Sequence, residues 1–353
     1  MNTHIFFTCA RPLLGIGLLF LALLTNAAND PSACTKTPTS PEGFLDQHQK
    51  TITIIIPRGE GGGSHQLSAK MREAMLPYLP EGTNITLQHI TGDNGLEAIR
   101  QFYLLPENGY TLLQHVDDVA PYIHMHEGHK TIDKSRLKPL AIVQRTYSQL
   151  FIRNYVEQRF TNWPEFVTYA SNNPVKVAVV GHKGSMEDLY IDELNTQYGL
   201  RIEDQAINNP SERYMAIIQD KADLLIEQPG DVSVFIDRKL FKPIISLPVQ
   251  PNDTIEGAPS LKEFIEKGMP TLERFRGFFA HSGVEQPRYD YLHEVLSCAY
   301  RSKTYQAFNK ANKMAPDSYL DGAGAAKFID SSIQYYISLT DSNGSLLHHA
   351  DAH

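Results

Sequence analysis

Thr51 to Leu67 reads TITIIIPRGEGGGSHQL, and this stretch decides the fold. A β-branched apolar run ends in Pro57, passes through three consecutive glycines and Ser64, and enters an amphipathic segment. An uninterrupted run of this kind suits a strand covered on both faces, as inside a parallel sheet. Leu67, Met71, Met75 and Leu79 then recur at helical spacing. The glycines therefore occupy a strand-to-helix turn. The free N–H groups of the first helical turn and the positive end of the helix make such a turn a natural anion site. A tight turn without function is the competing reading, because this geometry is common in α/β folds.

Outward from that turn, strand and helix signals alternate almost to the end of the chain. Strands are expected at 85–90, 110–116, 175–181, 223–228 and 242–248. Helices are expected at 95–105, 160–174 (started by Thr161), 185–199 (closed by Gly199), 210–222 and 260–268. The stretch 137–153 is long and extended enough to cross from one domain to another. The alternation predicts an α/β protein with mostly parallel sheets, helices on both faces, and ligands at the carboxyl ends of strands. The second turn of this type is VKVAVVGHKGSMEDLY (175–190), with Lys183, Gly184 and Ser185 at the helix start and His182 beside them. Ser185 is placed to cap that helix. Two such turns, one in each half, suit an anion held between two lobes.

The N-terminal segment has Arg11, the apolar core LLGIGLLFLALL and small residues at Ala27 and Ala28. This is the layout of a cleaved secretory signal, expected over 1–28, and its apolar core is too short for an ordinary membrane span. Cys34 follows Pro31-Ser32-Ala33 rather than a leucine-led lipobox, which argues against lipidation. Cys9 leaves with the signal, so Cys34 and Cys298 are free either to pair in an oxidising compartment or to remain separate thiols. The chain carries 32 basic and 40 acidic residues, and loss of Arg11 takes the formal charge from −8 to −9. With no long basic run, nucleic acid is excluded as a partner. The roughly 325 residues left after export suffice for two domains.

In order, the segments IIIPRGEGGGSHQL, TGDNGLEAI, ENGYTLL, NWPEFVTYASNNP, VVGHKGSMEDL, ADLLIEQPGDV, GAPSLKEFIEKGMP and GFFAHSGVEQPRYDYLHEVL resemble the periplasmic receptors of tripartite tricarboxylate transporters, the Bug receptors. The resemblance runs from about Thr51 to Tyr336. It implies a two-lobed periplasmic-binding-protein fold with a ligand cleft between the lobes: one lobe from 46–145 plus 270–339, the other from 146–269, and a polar tail at 340–353. It also implies the function, capture of a small di- or tricarboxylate or related acid by a monomeric receptor for the membrane permease subunits of such a transporter. Neither a cofactor nor catalysis is implied.

By the same resemblance, Gly61, Gly62, Gly63 and Ser64 hold one ligand carboxylate through backbone N–H groups, and Gly184 and Ser185 hold another. Glu227 faces the cleft, and the loop Asn208-Asn209-Pro210-Ser211 closes over the ligand. Gly59 and Glu60 replace a usual proline pair, and His65 replaces a usual Asp. A histidine there can turn cationic as pH falls, which re-tunes specificity. Asn209, Ser211, His65 and Lys183 complete the expected ligand shell.

Two other classes compete. His124, His126, Glu127 and His129, with His115, Asp117 and Asp118 shortly before, would suit a zinc-binding receptor. Their spacing is not HExxH. An enzyme lacks support, since there is no GxSxG, HExxH or P-loop and Ser64 beside His65 is not a catalytic geometry. A receptor that serves a sensor kinase would share the same ligand site.

Overall fold

A computed structural model describes residues 34, 37–119, 132–155, 158–180, 184–247, 258–264, 273–315, 317–340 and 347. The secretory signal, the His124–His129 cluster, His182, Lys183 and nearly all of the polar tail lie outside the described residues.

The run Thr51–Ile56 forms strand β1, with Ile52, Ile54, Ile55 and Ile56 completely buried. It is flanked on both sides by parallel partners, β2 (Asn84–His89) and β3 (Thr111–Val116), which is why it needs no polar face. Helix α1 (Gly63–Met75) follows the glycine turn and buries Leu67, Met71, Ala74 and Met75. Pro77 ends its α-helical hydrogen bonding, and Leu76–Tyr78 tighten into a 3₁₀ turn. Leu79, expected at helical spacing, is buried beyond the helix end.

The first sheet has the order β11-β4-β10-β3-β1-β2, with β4 at Leu137–Thr146, β10 at Arg274–His281 and β11 at Leu320–Asp321. The second has the order β7-β6-β8-β5-β9: β5 Gln149–Arg153, β6 Val175–Val179, β7 Ile202–Ala206, β8 Leu224–Glu227 and β9 Phe241–Ser246. The extended stretch 137–153 does cross between sheets, as β4 in one and β5 in the other. The sheets are mixed, which corrects the expectation of mostly parallel pairing. Each has a parallel core of three strands, whereas β4, β5 and β10 pair antiparallel because they are the segments that carry the chain across and back.

Helices α2 (Leu96–Tyr103), α3 (Trp163–Ala170), α4 (Met186–Tyr198), α5 (Pro210–Ile218) and α6 (Ser233–Asp237) connect the strands. After β10 come α7 (Gln286–Arg301), α8 (Lys303–Ala311) and α9 (Gly322–Leu339). Asn162, rather than Thr161, caps α3 by accepting from the Glu165 amide at 3.0 Å. Thr161 instead binds the Glu165 carboxylate at 2.7 and 2.9 Å through its amide and hydroxyl. Around 260–268 only a 3₁₀ turn at Leu261–Glu263 is described, started by a Ser260/Glu263 capping box. Among the described residues, no helix is long and apolar enough to cross a membrane.

Each sheet carries apolar clusters on both faces. In the first, Ile52, Ile54 and Ile56 pack with α1, α7 and α8, while Ile55, Leu113 and Phe279 pack with α2 and α9. Cys34 and Cys298 form a disulfide with a Cα–Cα distance of 5.5 Å, tying the segment ahead of β1 to α7.

Candidate functional site

Strand β10 runs antiparallel to β3, so its N-terminal end lies beside the carboxyl ends of β1 and β3. That is where open α/β sheets bind ligands. Arg274 and Arg276 stand there, two residues apart and therefore on one face of the strand. Both are buried. Each reaches groups on the second lobe.

Arg276 Nη2 lies 2.5 Å from Asp231 Oδ2, in the turn after β8, while its Nη1 donates to Gln144 Oε1 at 3.1 Å. The pair sits directly over the start of α1. A side chain at Gly63 would overlap Arg276 Nη2 and both Asp231 carboxylate oxygens. One at Gly62 would come within 3.1 Å of Pro210 Cγ, at the first turn of α5. The first glycine turn therefore meets the second lobe, and a carboxylate of this chain already stands at the α1 N-terminus. Gly61 has φ +81°, a backbone conformation that favours glycine. Ser64 is buried in the first turn of α1.

Arg274 forms the neighbouring link. Its Nε reaches Asp117 Oδ1 at 3.2 Å, and its Nη1 donates to Ser148 Oγ at 3.1 Å and to Glu187 in the first turn of α4. Burial, with help from Asp118 and Glu187, pushes the Asp117 carboxyl up to about 6 against the pull of Arg274. Asp118 in turn pairs with Arg58 of the first glycine turn.

At the second turn Ser185 caps α4, accepting from the Asp188 amide at 3.2 Å. The Gly184 amide donates to Asp188 Oδ2 at 2.6 Å, and its carbonyl accepts from Tyr336 of α9 at 2.7 Å. This turn thus touches the first lobe through α9, with Asp188 of its own helix at the Gly184 amide.

Glu227 is buried at the end of β8. Its Oε2 accepts from Arg213 Nη2 at 2.7 Å and its Oε1 from the Gln228 amide at 3.0 Å. Burial works to raise its pKa, but Arg213 prevails and holds it below the usual range. Asp231, where burial prevails over Arg276, titrates above it. Asn209 caps α5 by accepting from the Glu212 amide at 3.2 Å. Ser211 is exposed in the first turn of that helix, and Asn208 Nδ2 lies 3.5 Å from Asn94 Oδ1 of the first lobe.

His65 stands apart from this group of charges. Its Nδ1 is 3.0 Å from His89 Nε2, with the rings stacked at 5.0 Å, and it lines an open depression between α1 and Phe308 of α8. Burial and His89 lower its pKa, so it is harder to protonate than an ordinary histidine. His115, Asp117 and Asp118 do not gather as ligands: His115 is enclosed with its ring near the Gly95 and Val116 carbonyls, and the two acids pair with arginines. Among the described residues no group of three or more His, Cys, Asp or Glu is placed to hold a metal.

The arginines of β10 and Asp231 are the site residues that sequence reasoning passed over. Their signal is the alternation Arg274-Phe275-Arg276 opening an otherwise apolar strand.

Two mixed sheets joined by crossing strands define a two-lobed periplasmic-binding-protein fold. Solved structures bear this out. The periplasmic binding protein BugD superposes with a TM-score of 0.71 at 16% identity, covering 81% of this chain and 95% of its own. MatC from Rhodopseudomonas palustris with bound malate gives 0.67 at 16%, covering 80% and 96%. An R. palustris protein with adipate gives 0.69 at 14%, covering 82% and 95%. No protein-family model and no curated protein matches the chain.

Proposed function

We propose that this chain is an exported, non-enzymatic receptor that closes two lobes on a small organic acid and delivers it to the membrane permease of a tripartite tricarboxylate transporter. The observation that carries the reading is the meeting of the α1 N-terminus, through Gly62 and Gly63, with Pro210 and Asp231 of the other lobe, beside Arg276. Backbone donors, a helix end and a guanidinium converge there on a position already suited to a carboxylate. The malate and adipate held by similar structures are consistent with acids of this size. The Cys34–Cys298 disulfide suits an oxidising compartment outside the cytoplasm.

In this reading the ligand enters an open cleft, contacts Gly61–Ser64 first, and gains contacts from Gly184, Ser185, Asn209 and Ser211 as the lobes close. Its greater affinity for the closed form draws the equilibrium over. Lys183, Glu227 and His65 belong to the proposed shell as well. A thermal-shift screen of the mature protein against di- and tricarboxylates, aromatic acids, amino acids and divalent metals tests it. Stabilisation by an organic acid supports the receptor; silence from every acid, with a response to metal alone, overturns it.

A further inference from the structure

The described charged groups where the lobes meet, and those beside them, are already matched to one another. Among the described residues, Arg58, Arg213, Arg274 and Arg276 stand with Asp117, Asp118, Glu187, Glu227 and Asp231. These are not separate pairs: Asp231 feels Glu227 and Arg213, and Arg274 feels Asp118 and Glu227. Carboxylates outnumber guanidiniums by one in this network. A ligand that brings only negative charge therefore meets guanidiniums that each already face a carboxylate.

Consider what a ligand carboxylate must do to reach Arg276. Nη2 is taken by Asp231, whose side chain is 7% exposed, and Nη1 by the buried Gln144. Displacing Asp231 would leave its carboxylate buried, unpaired and close to Glu227, which is strongly unfavourable. The penalty vanishes if the ligand itself supplies a cation. An ion pair is then exchanged for two, and the buried charge stays balanced.

The polar atoms left over have the matching signs. Arg276 Nε is buried without a hydrogen-bond partner, a spare donor for an incoming carboxylate. Gln228 Oε1, in the turn that carries Asp231, is buried without one as well, a spare acceptor for an N–H group.

We propose that Arg276 and Asp231 form a specificity-determining pair that selects an organic acid also bearing an ammonium group, such as an α-amino acid, over an acid bearing carboxylates alone. Arg276 takes the ligand carboxylate at the α1 N-terminus, and Asp231 takes the ammonium, with Gln228 Oε1 as a second acceptor. This inference rests on the receptor function proposed above and adds the class of ligand.

Matched pairs test it directly by calorimetry on the mature chain: alanine and propionate, leucine and 4-methylpentanoate, phenylalanine and 3-phenylpropionate, glutamate and glutarate. The expected result is that one amino acid binds at least tenfold tighter than its des-amino partner. Asp231→Asn, nearly isosteric and able to keep a hydrogen bond to Arg276, should reverse that order by weakening the amino acid and strengthening the plain acid. Arg276→Gln should lose both. Far-UV circular dichroism and urea midpoints confirm that the variants fold. A des-amino acid bound as tightly as its partner, or a preference unchanged in Asp231→Asn, overturns the proposal and leaves the receptor standing. If the wild type binds neither class, both fall together.

Discussion

Arg213 Nη2 lies 2.7 Å from Glu227 Oε2, and the two side chains are 4% and 7% exposed. The pair joins the first turns of α5 to the end of β8 within the second lobe. A buried pair of this kind is costly to break from one side, because the survivor keeps its charge without compensation. Glu227→Ala should lower unfolding free energy by about 3–5 kcal/mol. The double substitution Arg213→Met/Glu227→Leu should recover at least half of that. Urea denaturation of the three proteins checks it; a Glu227→Ala loss below about 1 kcal/mol would mean the pair is solvated.

Gly63 and Gly230 make a contrast that separates site from scaffold. A Cβ at Gly63 would overlap the side-chain ends of the buried Arg276–Asp231 pair, although Gly63 is helical and its backbone accepts alanine. Gly63→Ala should cost about 1–3 kcal/mol by forcing that pair aside, and should abolish ligand-induced thermal shift. A Cβ at Gly230 would run into the Asn312 carbonyl, which cannot swing aside. Gly230→Ala should cost about 1–3 kcal/mol through overpacking. Normal binding by Gly63→Ala would remove the first glycine turn from the ligand site.

Much of the fold is legible in the sequence because it is written locally. The Ile52–Ile56 run, the glycine turn, and the Ser185 and Gly199 boundaries of α4 each follow from near-neighbour chemistry. The antiparallel placement of β10 between β3 and β4 is not local: GFFA looks the same in either direction, and its partners lie well over a hundred residues earlier in the chain. The site divides the same way. Glycine turns announce backbone donors by residue type, whereas the pairing of Arg276 with Asp231 or Glu227 with Arg213 depends on which helix end the fold delivers to which strand. An acidic residue at position 227 can be read from sequence; that both its oxygens are engaged inside the lobe cannot.

The Cys34–Cys298 bond closes a loop with a sequence separation of 264 residues and fastens the segment around Phe44 and Leu45, which is buried against Tyr110 and Tyr291. Cross-links over long loops restrict the unfolded chain most, so reduction should cost about 2–5 kcal/mol. Thermal melts with and without a strong reductant, alongside Cys34→Ser/Cys298→Ser, should show the same drop for reduced wild type and double mutant. An unchanged melting temperature in both would mean that packing of Phe44 and Leu45 holds the segment unaided.

Asp117 predicts a pH dependence with a definite sign. Its carboxyl, buried beside Arg274, Glu187 and Asp118, titrates near 6 rather than 3.8. The folded state therefore holds this proton more tightly than the unfolded state. Unfolding free energy contributed by the group is fully present below about pH 4 and is lost as pH climbs through 6. Asp117→Asn mimics the protonated form and lacks that loss. Relative to wild type, the variant should gain on the order of 2 kcal/mol between pH 4 and pH 7. Glu227, whose pKa is shifted the other way, is common to both proteins and cancels in the difference. Urea midpoints for the two at pH 4, 5, 6 and 7 provide the measurement, and stability curves that run parallel across this range would show that Arg274 keeps Asp117 ionised throughout.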